Sequence, residues 1–239
     1  MATLLYFRNT IFNKIGTIAS PPLDIIYDMT TTVGTLADTA IVTLTAGGTE
    51  IPWTKTEGVS KIGWITPRVP VGGFTLAAEP TVTFFAEESN QNDNAGVGFK
   101  LYKYSGGVAT QIEAIAENGT ELLTSPGQRD ITLGTVDPDI SFAENDRLLI
   151  VPFAIDVGTM TAGTATMYWN TGAGSYPAGI SLVETVAFKS DILRMNVMVG
   201  GVWKETPWEN MNILIRGGDP GWKKIQSMKI KVAGQWKNV

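Results

Sequence analysis

The sequence predicts an all-β protein, with an antiparallel β-sandwich or barrel followed by three short C-terminal β-hairpins. Three observations carry this prediction. The composition is rich in turn residues, with 26 glycines and 12 prolines among 239 residues, and only 17% of the residues are charged. Short alternating apolar segments replace the long runs of Glu, Lys, Leu and Ala that helices use. The last 45 residues repeat one strand–turn–strand pattern three times.

The first 60 residues are predicted either as an N-terminal arm or as the first strands of the sandwich. An opening strand over residues 3–15 carries an apolar cluster and is ended by Ser20-Pro21-Pro22. A strand over residues 40–45 follows in a Thr- and Gly-rich stretch, before the turn Gly47-Gly48. Periodicity does not decide between the two interpretations.

Residues 61–190 are predicted as the sandwich, because short strands and turns alternate there at a regular rhythm. Turn-forming clusters of Asn, Asp, Gly, Ser and Pro separate the strands every 8–15 residues, which is typical of antiparallel sandwiches and barrels. The predicted strands cover residues 62–66, 73–77, 81–86, 96–104, 109–116, 130–133, 147–155, 164–169 and 181–188.

Two of these strands differ in their apolar pattern. The strand over residues 96–104 alternates, with Val97, Phe99 and Leu101 on one face. The segment over residues 148–153 is apolar throughout, as expected of a strand covered on both faces. Pro152 lies inside it and lacks a backbone N–H, so we expect an edge position or a bulge there.

Residues 191–239 are predicted as a docking module built from the three repeats. Each repeat is an alternating strand, a glycine turn and then Trp-Lys, and the repeats start at Met195, Met211 and Met228. A unit this short has no core of its own and must pack against its siblings or another chain. Equivalent bulky aromatics in such repeats more often stack into a common core or fill an interface than contact a glycan. The predicted interface residues are Trp203, Trp222, Trp236, Lys204, Lys223 and Lys237.

The charge is unevenly distributed along the chain. From Ile192 onward eight basic and three acidic residues give +5, whereas the whole chain carries −5. Opposite charge on two segments favours head-to-tail packing or an acidic partner for the tail. The alternative is that the lysines are solvated faces of short strands. The tail has no arginine-rich stripe, so we expect no nucleic-acid partner.

The residue types exclude several chemistries. The chain has no histidine and no cysteine, which removes Ser-His-Asp, Cys-His and zinc-hydrolase sites. No glycine pair opens a helix as a phosphate-binding loop does. We therefore expect no catalytic residue, no cofactor and no metal, and predict that the chain is not an enzyme. It shows no secretory signal and no apolar run of about 20 residues, so we expect a soluble protein made in a cytoplasm, with no membrane partner.

Three alternatives to a purely structural role stay open. The loop from Glu87 to Asn94 concentrates oxygen ligands of the kind that calcium uses, although Asn and Asp also form ordinary turns. Glu144 and Asp146 favour a tight turn, whereas a glycosidase would need two carboxyl groups facing each other across a cleft. Exposed tryptophans would stack on sugar rings and form a glycan platform; besides the three repeated ones, the tryptophans are Trp53, Trp64, Trp169 and Trp208.

Several motifs resemble those of tailed-bacteriophage virion structural proteins. The end of the chain at residues 229–239 and its earlier copy at 197–204 are similar to short Val-x-Gly-x-Trp-Lys ends of such proteins. Residues 81–89, 95–107 and 142–148 resemble consecutive strand motifs of jelly-roll-like domains in phage fibre and head-decoration proteins.

The resemblance implies a jelly-roll-like sandwich in a non-enzymatic structural component of a virion. Such a component would be a head-decoration or a tail- or fibre-associated protein that docks to other capsid or tail proteins. By analogy to similar fibres and decoration proteins, the resemblance implies a homo-oligomer, and specifically a homotrimer. The alternative function, from a different class, is a carbohydrate-binding module that recognises a host surface glycan.

Overall fold

Strands supply all the regular secondary structure in the described part of this computed structural model, and no helix occurs there. The described residues are 2–12, 18–34, 36–47, 50–77, 79–112, 116–118, 120–132, 140–170 and 176–189, with short strands between 195 and 238. For residues 116–118 and for the strands after residue 190 the description is limited to the backbone. The chain divides into two units, Met1–Ser190 and Asp191–Val239. Within the described ranges no helix is long and apolar enough to cross a membrane.

The described residues of the first unit form eighteen strands that are mostly short. Their bounds in chain order are β1 (Thr3–Ile11), β2 (Ile18–Ala19), β3 (Pro22–Leu23), β4 (Ile25–Thr30), β5 (Asp38–Leu44), β6 (Glu50–Pro52), β7 (Thr54–Thr56), β8 (Val59–Ile65), β9 (Phe74–Leu76), β10 (Thr81–Glu88), β11 (Ala95–Ser105), β12 (Val108–Gln111), β13 (Ala116–Asn118), β14 (Gly127–Thr132), β15 (Ile140–Phe142), β16 (Arg147–Asp156), β17 (Gly163–Trp169) and β18 (Gly179–Leu182).

Fourteen of these strands form one sheet that folds back on itself. Along its main path the order is β12-β11-β16-β8-β4-β1-β18-β10-β17-β5-β7, and β13, β14 and β6 add to β11, β10 and β16. Strand β7 also pairs with β8, so the ladder returns to an earlier strand and closes a circuit. Of the ladders in the described part, only β4 with β8 is parallel. The predicted all-β sandwich is confirmed.

Aromatic side chains fill the space between the two walls of the sandwich. Trp64 of β8 stacks on Phe7 of β1 at a ring-centroid distance of 4.3 Å. It also meets the edge of Trp169 of β17, on the opposite wall, at 5.0 Å. Phe84 of β10 and Phe99 of β11 make a second contact across the core at 5.5 Å. These buried rings stabilise the packing of one wall on the other.

A smaller apolar cluster covers the outer face of one wall. Leu149 and Val151 of β16 contribute to it, as do Tyr102 of β11 and Ile65 of β8. The short β2–β3 hairpin supplies Ile18 and Leu23. Strand β16 is thereby buried on both faces from Arg147 to Ile155, as its continuous apolar sequence predicts.

Pro152 lies where β16 changes partners. On one side β16 pairs with β11 along its whole length, and Pro152 is the register partner of Phe99. On the other side it pairs with β8 at Leu149 and Ile150, and with β6 from Phe153 onward. The proline therefore occupies the gap between two ladders, where no strand needs its missing N–H.

The predicted strands after residue 61 correspond to observed ones, with shifts at their ends. Strand β10 extends to Glu88, and the segment predicted over residues 109–116 divides into β12 and β13. The segment predicted over residues 181–188 is the shorter β18. Strands β2, β3, β4, β6, β7 and β15 have no counterpart in the sequence prediction. Residues 3–56 contribute β1, β4, β5, β6 and β7 to the large sheet.

The second unit contains three β-hairpins, as the repeats predict. Strand β19 (Met195–Val199) pairs with β20 (Val202–Thr206), and β21 (Leu214–Arg216) pairs with β22 (Trp222–Lys224). Strand β23 (Lys229–Val232) pairs with β24 (Gln235–Asn238). Among the described strands each pair forms a separate two-stranded sheet.

Candidate functional site

The Trp-Lys pairs occupy equivalent register positions in the first and third hairpins, whereas in the second hairpin Trp222 belongs to the pair that closes the connection. In every hairpin the tryptophan lies near the start of the second strand, and the lysine after it is opposite an aliphatic residue. The register partners are Met198 with Trp203, Val197 with Lys204, Arg216 with Trp222, Ile215 with Lys223, Lys231 with Trp236, and Ile230 with Lys237.

The first and third hairpins also share the length of their connections. Val199 pairs with Val202 across the two residues Gly200-Gly201, and Val232 pairs with Gln235 across Ala233-Gly234. Two-residue connections that contain glycine suit the tight turns of β-hairpins. The second hairpin differs, because five residues separate Arg216 from its partner Trp222.

The backbone of this unit is arranged for pairing with further strands. Within the described strands each hairpin has two, so both outer edges carry backbone groups that no described strand pairs. An isolated two-stranded hairpin is marginally stable in water, and unpaired edges accept additional strands. The side chains of Trp203, Trp222, Trp236, Lys204, Lys223 and Lys237 lie outside the described part, so their role in an interface stays a prediction.

The tryptophans of the first unit do not form a glycan platform. Trp53, Trp64 and Trp169 are fully buried, each with a relative exposure of 0%. Their rings therefore belong to the core and offer no face to a sugar. Trp208 lies outside the described residues.

A different set of aromatic residues lies on the outer face of β10 and β17. Tyr168 and Tyr176 are half-buried, with ring centroids 5.3 Å apart, and the Tyr176 ring meets the edge of Phe85 at 5.2 Å. The Tyr168 hydroxyl donates a hydrogen bond to Glu87. Burial, with this bond and the charge of Glu87, raises the pKa of Tyr168 to about 12. Sequence reasoning missed these tyrosines, because alternate polar positions on a strand carry no signal beyond an exposed face.

The oxygen-rich loop after β10 is a hydrogen-bonded turn. Asp93 is 1% exposed and accepts hydrogen bonds from the Ser89 hydroxyl at 2.8 Å and the Asn90 amide at 3.1 Å. The Asn94 side chain donates to the carbonyl oxygens of Asn92 and Thr159, both at 3.0 Å. The loop residues thus serve as turn formers, and the described residues contain no group of three or more acidic side chains able to hold a metal ion.

Glu144 and Asp146 are engaged by different lysines. Asp146 accepts a hydrogen bond from the Ala143 amide at 2.8 Å and an ion pair from Lys103 at 3.0 Å. Glu144 is more exposed and pairs with Lys189 at 2.5 Å. The Asp146 carboxylate is therefore part of a tight turn, which is the interpretation that its sequence context favours.

A groove of about 170 Å³ lies beside β16. Prolines and aromatic rings dominate its lining, and Lys100 lies 5.0 Å from the ring centroid of Phe153 while pairing with Glu50 at 2.5 Å. The apolar lining includes Pro21, Pro22, Pro52, Pro152, Tyr102 and Phe153.

In comparisons with known proteins, this chain is similar to several solved structures at low sequence identity. No protein-family model and no curated protein sequence matches the chain. A CocE/NonD family hydrolase from Staphylococcus aureus matches at 10% identity, and an aminopeptidase from a marine sediment Thaumarchaeota archaeon at 12%, both with a TM-score of 0.46. An α-amino acid ester hydrolase matches at 13% identity with a TM-score of 0.45. Each match covers 76% of this chain and 36% of the other chain, so this chain spans about a third of their length.

The prediction that the chain is not an enzyme is wrong on this comparison and is corrected here. The three similar structures are those of two hydrolases and an aminopeptidase. The prediction rests on the missing histidine and cysteine and on the resemblance to scaffold proteins. Neither observation excludes catalysis by carboxylate groups. Each of these activities belongs to the similar protein and is not assigned to this chain.

Proposed function

We propose that this protein is a structural component of a bacteriophage particle, and that its C-terminal hairpins attach it to another capsid or tail protein. The observation that carries the proposal is the set of three hairpins, each with Trp-Lys near the start of its second strand and the lysine opposite an aliphatic residue. Head decoration and association with a tail or fibre are the two locations in the particle that this function covers.

The energetics of short hairpins support a docking role. Each hairpin pairs strands of only three to five residues, and none of the described strands extends it. Such a unit buries little apolar area by itself, whereas an aromatic anchor placed in a partner's pocket contributes strongly to binding. A partner that adds a strand to a free edge would also satisfy the unpaired backbone groups.

Charge gives the partner a chemical character. The tail carries +5 from Ile192 onward, although the chain as a whole carries −5. A basic docking segment favours an acidic surface on the partner, and electrostatic attraction would speed association at low salt. The acidic remainder of another copy would serve equally, which agrees with the homo-oligomer, a trimer, that the phage resemblance implies.

Immunogold electron microscopy tests the proposed function. Antibodies against the full chain are applied to purified particles of a phage whose genome encodes this sequence. We expect gold at one fixed position on the particles, because a structural component occupies a defined site. Particles that carry no label, whether intact or dissociated, would overturn the proposal.

A triple substitution tests the role of the hairpins. Replacing Trp203, Trp222 and Trp236 by alanine in the full chain should abolish incorporation of the protein into particles, because the anchors are lost. The matched control is Val71→Ala, a substitution at a side chain that is 76% exposed on the first unit. Circular dichroism of both variants checks that the sandwich stays folded. Normal incorporation of the triple variant would contradict the docking role.

The outer face of β10 and β17 favours a second candidate function, the binding of a host surface glycan. Sugar rings stack on aromatic side chains, and carboxylates accept hydrogen bonds from their hydroxyl groups. Tyr168, Tyr176 and Glu87 supply both kinds of group on one open surface. Tyr176→Ala should abolish binding on a glycan array without unfolding the protein, whereas Val71→Ala should leave it unchanged. An array on which the unchanged full chain binds no glycan would remove this candidate.

A further inference from the structure

Glu88 is a buried carboxyl group at the end of β10. Its relative exposure is 2%, and its Oε2 accepts a hydrogen bond from the Ala95 amide at 3.1 Å, across the turn that leads into β11. Its Oε1 is buried and receives no hydrogen bond from the described protein. A buried carboxylate oxygen left in this state is costly, so the geometry calls for a proton or another partner.

Glu121 brings a second carboxyl group to the same place. Its Oε1 is also buried without a hydrogen-bond partner in the described part of the chain. It belongs to residues 120–126, which two backbone hydrogen bonds hold against β10 and β11. The Glu88 amide donates to the Leu123 carbonyl at 2.9 Å, and the Leu122 amide donates to the Ala95 carbonyl at 2.7 Å. Leu122 itself is 3% exposed and packs in the main core.

The described charged groups near this pair are the carboxylates of Asp93 and Asp156 and the guanidinium of Arg129. Asp93 is acidic, and Asp156 accepts hydrogen bonds from the amides of Gly158 and Met160. Arg129 donates to the carbonyl oxygen of Glu121 at 3.1 Å. Burial, together with Glu121 and Asp93, raises the pKa of Glu88 to about 7 against the opposing hydrogen bond from the Ala95 amide.

We propose that Glu88 and Glu121 share one proton, and that the pair is a pH-sensitive latch holding residues 120–126 against the turn between β10 and β11. The proton lies on Glu88 and is donated to the Glu121 carboxylate, so both Oε1 atoms gain a partner. When Glu88 releases it to solvent, two negative charges remain in contact in a buried site. Their repulsion weakens the two backbone hydrogen bonds beside them and loosens Leu122.

Hydrogen exchange on the full chain tests the latch. Protection of the Leu122 and Glu88 amides, corrected for intrinsic exchange, should fall at least about tenfold between about pH 6 and about pH 8.5. Glu88→Gln keeps a neutral donor at this position, so its protection should not change over that range. The control Glu57→Gln, at an exposed residue that bonds Thr43, should behave as the unchanged protein does.

Carboxyl ¹³C NMR gives a readout that does not depend on the stability of one variant. The Glu88 carboxyl should titrate near neutral pH in the unchanged protein and at lower pH in Glu121→Gln, where the neighbouring negative charge is absent. Titration of Glu88 in the ordinary range of an exposed glutamate would overturn the proposal. So would protection restored at high pH by about 1 mM calcium, since a cation would then bridge the two carboxylates in place of the proton.

Discussion

At the scale of single residues, Asp146 is a buried carboxylate of the sandwich that hydrogen-bond donors hold in place. Burial alone would raise the pKa of Asp146, but hydrogen bonds from Ser105, Lys103 and the Ala143 amide outweigh it and hold that pKa below its usual value. The same groups fix the turn before β16. The negative charge of Asp146 therefore stabilises the folded state, whereas a negative charge on Glu88 would destabilise it.

The Asp146→Asn substitution should lower the free energy of unfolding at neutral pH by about 1–3 kcal/mol, because a charged hydrogen-bond acceptor in a buried site is lost. The folded-state pKa of Asp146 is depressed, so its stabilisation is present above the unfolded pKa and is lost as pH falls through the folded value. Urea unfolding at neutral and acidic pH should show the two proteins converging in acid. Glu144→Gln, at an exposed ion pair, is the control and should change stability by less than about 1 kcal/mol. A constant difference at all pH values would contradict the assignment.

Trp64 is the residue whose truncation should cost most stability. Its ring contacts Phe7, Tyr27 and Trp169, and it is fully buried. Trp64→Ala should lower the free energy of unfolding by about 3–5 kcal/mol through lost burial and a cavity. The control Val71→Ala, at an exposed side chain, should stay within about 0.5 kcal/mol. Denaturant unfolding measures both, and equal effects would rule out a structural role for the aromatic cluster.

At the scale of elements, turn geometry sets the register of the long β11–β12 hairpin. Ser105 pairs with Val108 across Gly106 and Gly107, whose φ values are 57° and 92°. Positive φ at both central residues is the hairpin turn that matches strand twist, and it favours glycine. The sequence Ser-Gly-Gly therefore predicts this turn correctly.

Gly107→Val should destabilise the protein by about 1–3 kcal/mol, because a β-branched residue is strained at positive φ. Gly127→Ala in β14 is the matched control: its added Cβ would meet the nearest atom, of Leu123, at 3.6 Å, and its φ is not in the positive range. Denaturant unfolding compares the two, with hydrogen exchange of β12 as a local readout. Similar losses from both variants would show that space, rather than φ, limits these positions.

The sequence predicts strands well where the pattern is long, whether it alternates, as in β10, β11 and β17, or is apolar throughout, as in β16. It fails for β6 and β7, because three residues are too few to show a period. The sequence also does not predict strand β4, because Asp28 interrupts its apolar run. The pairing of Glu88 with Glu121 is equally invisible, since it depends on which distant segments the fold brings together. The proximity of Tyr168 of β17 to Tyr176, which lies after that strand, is equally invisible in the sequence.

At the scale of the whole molecule, the first unit has two apolar clusters built from its own described side chains. A chain that ends at Ser190 should therefore fold as the full protein does and should fail to join phage particles. Its near-ultraviolet circular dichroism should match the full chain in shape, and immunogold labelling should find no fragment on particles. An unfolded fragment would show that the hairpins contribute to the core, and a fragment that joins particles would place the docking surface on the sandwich.

Strand β1 pairs on one side with β18, where Thr3 is the partner of Leu182, and the Thr3 hydroxyl donates to the Glu184 carbonyl and accepts from the Val186 amide. The amino-terminal strand therefore leaves the ribosome long before its neighbour on that side is translated. Contacts so distant along the chain slow folding. Until β18 is translated, β1 keeps one unpaired edge, and an unpaired strand edge is prone to pair with another chain.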